Sequence, residues 1–443
     1  MRPTGLEGAE LAQDQSGSNA AEEGRWTPGT CSTLGFLTLI SVFNYLDRSL
    51  LGLVLPLIKV DLRLSDASLG LISGLAFAVF YSLLGVPIAS LADRSNRRNI
   101  IAVGFGLWSL MTAVTGSVAN GWQLAFCRFL MGAGEAAGLA PSQAMIADKF
   151  PPAKRPLALS IFTTASAVNS LVFMPIAGWI ASAYGWRAAF RLAGLAGLVL
   201  AGLFLLTVRD PARRHSSVSR PEPAKMLQAI RTLARSPAYL WLLAGSSFMG
   251  GALYATATWM TSLLVRVHGF SIVKVASIVT PLGGIVGALG VVGTGWIAHT
   301  LGRRDARWRL WAPGSVCILC APAHVAFLLG DNQAVWACGL AVVFALQAAY
   351  QGPIFAVVIS MAPENMRAVA VSIIVLFTGL VGQIFGPLVV GVLSDALTAG
   401  QGENAIRYSL LVVALSSLLG GLCFLIASRV ESKGVIGTPL PNT

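Results

Sequence analysis

Residues 89–98 read ASLADRSNRR, and residues 295–304, which lie 206 positions later, read GWIAHTLGRR. Each stretch follows a long apolar run and ends in two arginines. A second correspondence, at an offset of 212, pairs Pro141 with Pro353, Pro151 with Pro363, Arg155 with Arg367, Ala158 with Ala370, Ser160 with Ser372 and Pro175 with Pro387. Parallel duplication of this kind is typical of secondary transporters, whose two halves rock about a central site.

Composition places both halves in a membrane. Of the 443 residues, 55% are hydrophobic and only 11% are charged, and the mean hydropathy is +0.72. A soluble protein carries about 25% charged residues because its surface must be hydrated. Uncharged runs of 18 or more residues predict helices that cross the bilayer. The predicted spans are 31–58, 67–92, 100–119, 122–147, 156–186, 188–208, 238–265, 275–298, 310–330, 333–360, 368–394 and 408–428.

We therefore predict an all-α membrane protein with two pseudo-symmetric six-helix bundles. The first bundle covers 31–208 and the second 238–428, between tails 1–30 and 429–443. No cleavable signal peptide is expected. In the linker 209–237, Met226, Leu227, Ile230 and Leu233 share one helical face, so it forms either a short amphipathic helix on the membrane surface or a solvated connection.

The net charge of +12 and the pI of about 9.9 are explained by topology. An even number of spans puts both termini on one side, and most of the lysines and arginines fall in loops on that side. The positive-inside rule then predicts cytoplasmic termini and a cell (inner) membrane location. Anionic lipid, rather than nucleic acid, is the expected partner of these basic loops.

Four charged residues stand well inside predicted spans: Asp47, Arg48, Arg128 and Glu135. Charges at this depth are costly and mark functional sites by default. Arg128 and Glu135 are two helical turns apart and share a face. Asp47, Arg128 and Glu135 are predicted to form a proton-coupling charge switch, in which protonation of a carboxylate frees Arg128 for an anionic substrate. The alternative is a buried salt bridge that only fixes packing.

The second half lacks these charges, because at offset 212 Arg128 corresponds to Leu340 and Glu135 to Gln347. Proton coupling is therefore predicted in the first half alone. Polar side chains that are candidates to line the substrate cavity are Tyr45, Arg48, Gln347, Tyr350, Gln351 and Gln383. Helix-to-helix hydrogen bonding is the competing explanation for the residues of the later spans.

The loop after the second span is a candidate cytoplasmic gate formed by Asp93, Arg94, Arg97 and Arg98. Asp93 would latch one conformation against the positive N-terminal end of the eleventh span, near Ala368. An ordinary positive-inside cluster explains the three arginines but not Asp93.

Other chemistry is disfavoured. GAGEAAG, at 132–138, lies in mid-membrane and is not a dinucleotide-binding motif. Cys317, Cys320 and His324 resemble a metal-ligand spacing, but a CxxC in an apolar helix usually serves packing. The six cysteines are interpreted as small hydrophobic residues. We expect no cofactor, no metal and no enzymatic activity, and a monomer.

The motif LADRSNRR, at 91–98, resembles the signature after the second helix of major facilitator superfamily transporters. Ala89 and Asn96 replace the two glycines of that signature. The stretches FNYLDRSLL (43–51), SLADRSNRRNII (90–101), RFLMGAGEAAGLAPSQAMIADKFPP (128–152) and ALSIF (158–162) resemble the Spinster branch of the superfamily.

That resemblance implies a proton-linked carrier of lysophospholipid or sphingolipid-like substrates, with Asp47, Arg128 and Glu135 at functional positions. Sugar-acid carriers of the anion:cation symporter branch share similar NYLDR and GEA motifs, so symport of a small organic anion is the alternative. A membrane-embedded ligand sensor is a third hypothesis. It is disfavoured because the tails and the linker are too short for a signalling domain.

Overall fold

The computed structural model describes residues 26–210, 223–363 and 366–434, and in these residues the regular structure is helical. The first six passes are α1 (Pro28–Leu62), α2 (Asp66–Ser73 and Leu75–Arg94), α3 (Arg97–Thr115), α4 (Gly121–Glu135 and Leu139–Lys149), α5 (Arg155–Thr163, Ala165–Val168, the π-turn Asn169–Phe173 and Met174–Tyr184) and α6 (Trp186–Thr207).

A linker helix, Pro223–Ala234, leads to the second six passes. These are α7 (Pro237–Arg266), α8 (Ile272–Lys274, the π-turn Val275–Val279 and Thr280–Gly302), α9 (Trp308–Leu329), α10 (Gln333–Leu346 and Gln351–Met361), α11 (Arg367–Gln401) and α12 (Ala405–Ser409 and Leu411–Gly434). The predicted two bundles of six helices are confirmed.

Helix boundaries follow local capping chemistry rather than hydropathy. The side chain of Thr27 accepts a hydrogen bond from the Thr30 backbone N–H, and Pro28 occupies the first turn, so α1 begins three residues before the predicted span. Part of the linker, Pro223–Ala234, is helical, and its placement on the membrane surface stays a prediction. In that helix Leu233 is buried and Ile230 is exposed, whereas the Met226 and Leu227 side chains lie outside the described residues.

Nine stretches of described helix are long and apolar enough to cross a membrane, and Val369–Val430 contains both α11 and α12. The other two passes, α3 and α4, carry more charged and polar residues. Large apolar side chains such as Leu206 and Val292 are 84% and 71% exposed. This is expected where lipid surrounds the helices, because acyl chains are as apolar as leucine.

Glycines bring the charged fourth pass close to its neighbours. A Cβ added to Gly132 would lie 2.5 Å from the Phe77 carbonyl oxygen of α2, and one added to Gly134 would lie 2.8 Å from the Gly104 carbonyl oxygen of α3. Only a residue without a side chain permits backbones at this separation. The glycines of GAGEAAG therefore bring α4 into backbone contact with α2 and α3.

The fourth and tenth passes are broken at equivalent points. The α4 helix is interrupted over 136–138 and α10 over 347–350, so the second segments, Leu139–Lys149 and Gln351–Met361, start and end 212 residues apart. Broken helices at this depth free backbone groups and place side chains beside a solvated cavity. Glu135 directly precedes the α4 break, and Gln347 is the first residue of the α10 break.

The two bundles touch at the end of the molecule that holds the α1–α2 and α7–α8 loops. A Cβ at Gly52 would lie 2.9 Å from the Ala257 carbonyl oxygen. At Gly70 it would meet the Pro387 carbonyl oxygen, and at Gly391 the Asp66 carbonyl oxygen. In the described residues, every close glycine contact between bundles lies in this half of the helices, which is opposite to the end that carries the termini.

Candidate functional site

Glu135, at the break in α4, is fully buried and bonded to α1. Its Oε2 atom accepts hydrogen bonds from Asn44 Nδ2 at 2.7 Å and from Arg48 Nε at 2.8 Å. Asn44 and Arg48 are four residues apart, so both project from one face of α1. The buried Oε1 atom has no hydrogen-bond partner in the described part of the chain. Glu135 thus has one hydrogen-bonded oxygen and one buried oxygen without a hydrogen bond in the described residues.

Arg48, which is partly buried, and Arg128, which is buried, contact a common aromatic ring. The Arg48 guanidinium carbon lies 4.8 Å from the Phe77 ring centre and 4.7 Å from that of Tyr81. The Arg128 guanidinium carbon lies 5.0 Å from the Phe77 ring centre. Cation–π contact of this kind stabilises a desolvated cation by about 2 kcal/mol without neutralising it.

Arg128 and Asp47 form no ion pair in the described residues. Arg128 Nη1 contacts the sulfur of Met131 at 3.2 Å, and Arg128 Nε is buried without a partner. Asp47 is 1% exposed, and its Oδ1 atom is likewise buried without a partner. The predicted charge switch therefore has a different pairing in the structure: Glu135 binds Arg48, while Arg128 forms no direct ion pair in the described residues.

A cavity of about 250 Å³ lies between the bundles, next to the two arginines. From the first bundle its walls include Arg48, Ser49, Leu51, Leu53, Ser73, Phe77, Arg128 and Met174; from the second they include Tyr254, Ala257, Thr258, Met260, Thr261, Thr280, Gln383 and Pro387. The lining combines two guanidinium groups, hydroxyl groups and apolar side chains, and it contains no carboxylate. Such a surface suits an anion.

Of the predicted cavity residues, Arg48 and Gln383 line this cavity, whereas Tyr45, Gln347, Tyr350 and Gln351 are not among its lining residues. Gln347 donates to the Ala252 carbonyl oxygen at 2.8 Å and to Thr256 Oγ1 at 2.9 Å. Tyr350 is buried and stacks on Phe424 at 5.7 Å. Gln347 thus connects helices of the second bundle through hydrogen bonds, which was the competing explanation, whereas Tyr350 packs there through its ring.

Sequence reasoning missed several contributors. Asn44 was identifiable from its four-residue spacing to Arg48. Tyr254, Thr258 and Thr280 carry no distinguishing pattern, because hydroxyl residues are common in membrane helices and bond their own backbone. Phe77 and Tyr81 were indistinguishable from ordinary apolar residues.

The contact between bundles contains a second charged cluster that the sequence did not reveal. Asp66, which is 1% exposed at the start of α2, accepts bonds from Arg266 Nη1 and Nη2 of α7, both at 2.9 Å. Lys59 Nζ and Ser394 Oγ donate to the same carboxylate, at 2.6 Å and 2.7 Å. We call Lys59, Asp66, Arg266 and Ser394 the Asp66 cluster.

A neighbouring carboxylate reinforces it. The Asp395 carboxylate of α11 accepts the backbone N–H groups of Asp66 at 2.9 Å and Ala67 at 2.8 Å. This carboxylate compensates the positive end of the α2 helix. Because Asp66 and Asp395 lie near predicted span ends, they looked like ordinary boundary residues.

At the opposite end, the predicted gate arginines tie the first bundle together. Arg97 pairs with Asp148 near the end of α4, and Arg98 Nη1 donates to the Val208 carbonyl oxygen at 3.4 Å. Arg94 is exposed. The side chains of Asp93 and Ala368 lie outside the described residues, so the latch between them stays a prediction.

Comparison with known proteins agrees with this architecture. The model of the Major Facilitator Superfamily matches residues 37–382. The chain therefore belongs to the Major Facilitator Superfamily, and it is a transporter rather than an enzyme.

Its relatives are transporters of several kinds, with Spinster homologs among them. It is 33% identical to an MFS-type efflux pump of Mycolicibacterium smegmatis, over 91% of this chain and 94% of that protein. It is 26% identical to human protein spinster homolog 1 (90% and 81% covered) and 26% identical to a probable galactarate/D-glucarate transporter of Escherichia coli strain K12 (87% and 92% covered).

Among solved structures, it resembles a bacterial homolog of the human lysosomal transporter Spinster in an inward-facing, unoccupied conformation. The TM-score is 0.81 at 25% identity, with 92% of this chain and 99% of that chain covered. The occupied, inward-facing form of a bacterial Spinster homolog gives a TM-score of 0.78 at 26% identity, with the same coverage of the two chains.

Proposed function

We propose that this protein is a proton-coupled secondary transporter of an anionic amphipathic lipid, of the lysophospholipid or sphingolipid type. The observation that carries the proposal is the pair of arginines, Arg48 and Arg128, at one inter-bundle cavity that no carboxylate lines. An anionic head group would bind both guanidinium groups. The apolar wall residues Leu51, Leu53 and Met260 would contact its chain.

Proton coupling follows from the competition for Arg48. When Glu135 is ionised it occupies Arg48 through the bond to Nε. A proton on Glu135 removes its charge, and Arg48 is then free to bind the anion together with Arg128. Because Arg128 cannot be deprotonated, its charge attracts the anion in either state. Proton and anion are therefore bound together, and Asp47 supplies a second buried carboxylate for the same exchange.

Alternating access requires one closed end at a time. With cytoplasmic termini in the cell membrane, the Asp66 cluster closes the outer end, and the cavity communicates with the cytoplasm. Opening the outer end separates Asp66 from Arg266 and Ser394. Deleting one partner of a buried ion pair costs about 3–5 kcal/mol, and separating the two costs less when water solvates both charges, so substrate binding must offset only this smaller cost.

Symport of a small organic anion such as a sugar acid is the second candidate. The hydroxyl groups of Ser49, Ser73, Thr258, Thr261 and Thr280 support it, because they could bond the hydroxyls of a sugar chain. The relatives named above include a probable galactarate/D-glucarate transporter.

A single flux experiment separates these hypotheses. Purified protein in liposomes would be tested with a lysophospholipid and with D-glucarate, with and without an imposed pH gradient. We expect pH-dependent lysophospholipid flux, strongly reduced in Arg128→Gln and unchanged in Arg231→Gln, an exposed linker position. Flux of D-glucarate alone would transfer the assignment to the second candidate. Saturable binding without flux of either compound would indicate a sensor.

A further inference from the structure

A second cavity, of about 450 Å³, lies in the second bundle, at the end of the molecule that carries the termini. It is formed by the last turns of α8, the start of α9 and the second segment of α10. It shares no lining residue with the central cavity. The lining comprises Val291, Gly295, Ala298, His299, Gly302, Arg303, Arg309, Gly352, Pro353, Ala356, Val357 and Ser360.

Its polar side is basic. His299 and Arg303 are four residues apart on one face of α8. Arg309 of α9 lies across Gly302, where an added Cβ would be 3.1 Å from Arg309 Cγ. The lining contains no aspartate or glutamate. In the part of the chain that the structure describes, neither arginine forms an ion pair.

The internal repeat shows what has changed at this position. Arg303 corresponds to Arg97 at offset 206, and Ser360 corresponds to Asp148 at offset 212. In the first bundle Arg97 pairs with Asp148, the penultimate residue of the α4 segment Leu139–Lys149. Ser360 is likewise the penultimate residue of Gln351–Met361. The second bundle thus keeps the arginine and lacks the acid.

A second replacement also removes a negative charge. His299 of the α8 end corresponds to Asp93 at offset 206. Two carboxylates of the first bundle are therefore replaced by a histidine and a serine around a retained arginine. An external anion would restore the missing negative charge.

The apolar side of the cavity indicates where that anion comes from. Ala298, Pro353, Ala356 and Val357 form its floor. Directly beside the lining residues Val291 and Gly295, Val292 and Trp296 are 71% and 67% exposed, as expected of a surface in contact with lipid and its interface.

We propose that this cavity binds the phosphate of an anionic phospholipid from the leaflet on the side of the termini. Arg303 and Arg309 hold the phosphate through charge-assisted hydrogen bonds, and the acyl chain lies along the α8 face. The Ser360 hydroxyl, which donates to the Val357 carbonyl oxygen at 2.8 Å, would rotate to donate to the phosphate instead. Basic pockets between transmembrane helices on this side of a membrane are suited to such head groups.

The test measures binding to the full-length protein in a neutral detergent. The probe is dioctanoyl phosphatidylglycerol, and the comparison ligands are dioctanoyl phosphatidylcholine and inorganic phosphate. The variant Arg303→Gln/Arg309→Gln should bind phosphatidylglycerol at least about tenfold more weakly, because two charge-assisted bonds are lost. The matched control, Arg304→Gln/Arg307→Gln, changes two exposed arginines outside the lining and should bind normally.

A second variant keeps the test decisive if the double arginine variant misfolds. Ser360→Asp restores the acid of the first bundle and should also abolish binding, since the carboxylate would occupy Arg303. Equal affinity for inorganic phosphate or for phosphatidylcholine would overturn the phospholipid assignment. Equal loss in the control, or normal binding by both cavity variants, would overturn the site itself.

Discussion

The breaks in α4 and α10 occupy equivalent places in the two bundles but have different chemistry. At the first, Glu135 accepts bonds from Asn44 and Arg48 of α1. At the second, Gln347 donates to Ala252 and Thr256 of α7. Thr256 is 212 residues after Asn44, so the same pair of positions is bonded in each bundle.

The difference lies in what can change during a transport cycle. A glutamine amide keeps its hydrogen bonds at every pH, whereas a glutamate loses its attraction for an arginine when it binds a proton. Duplication therefore provided two similar scaffolds, and a carboxylate at only one break makes that bundle the proposed site of coupling. The second bundle supplies cavity-lining residues, and the hydrogen bonds at its break do not depend on pH. The predictions below test this asymmetry.

The largest expected effect is the loss of proton coupling in Glu135→Gln. This substitution makes the first break resemble the second, so pH-driven uptake should be abolished while substrate exchange at equal pH persists. Liposome flux with and without a pH gradient measures both. The matched control is Gln347→Leu at the second break, which should retain pH dependence. Loss of pH dependence in both variants would show that the breaks are equivalent after all.

Asp47→Asn tests whether the second buried carboxylate of the first bundle shares this role. If it does, pH-driven transport should be lost and counterflow partly retained, measured in the same assay. Unchanged pH-driven uptake would assign coupling to Glu135 alone, which sharpens the comparison between the two breaks.

Arg128→Gln should reduce transport of the anionic substrate by about 100-fold, because a desolvated charge-assisted contact contributes about 1.5–3 kcal/mol. The effect should appear as a raised half-saturation concentration as well as a lowered rate. Leu340→Gln, at the equivalent position of the second bundle, is the control and should leave substrate affinity unchanged. An unaltered affinity in Arg128→Gln would remove this residue from the binding site.

Asp66→Asn should weaken the contact between bundles and shift the population toward the outward-open state. The asparagine retains its shape but loses the bidentate ion pair with Arg266. Labelling of a cysteine introduced at Ser73, in the cavity wall, from the outer side would report the shift, in a background from which the native cysteines have been removed. The control is Asp331→Asn, which should have no effect. Asp331 is 97% exposed and lies 3.8 Å from Arg407. Equal labelling in both variants would mean that the Asp66 cluster does not hold this end closed.

The smallest effect concerns packing. Gly132→Ala puts a methyl group 2.5 Å from the Phe77 carbonyl oxygen and should cost about 1–3 kcal/mol, seen as a lower melting temperature in detergent. Gly352→Ala on α10, where nothing lies within 4 Å, should melt like the parent protein. A normal melting temperature for Gly132→Ala would show that α2 and α4 adjust freely.

Much of the fold was predictable because lipid imposes strong rules. Long apolar runs must be helices, since no water satisfies exposed backbone groups, and the repeated loops fix the division into halves. The buried residues Arg128 and Glu135 stood out for the same reason. Which of the buried charged side chains pair was not predictable. Helical periodicity shows which residues share a face, but not which neighbouring helix that face contacts.

The sequence by itself determined the membrane setting, the twofold repeat, the superfamily resemblance and the confinement of buried charge to one half. Only the tertiary structure decided that Glu135 pairs with Arg48, that Arg128 forms no direct ion pair within the described part of the chain, and that Asp66 joins the bundles through Arg266. The physical reason is the separation along the chain over which each property acts. Hydropathy and periodicity are local properties, whereas an ion pair between residues 87 or 200 positions apart depends on how whole helices pack.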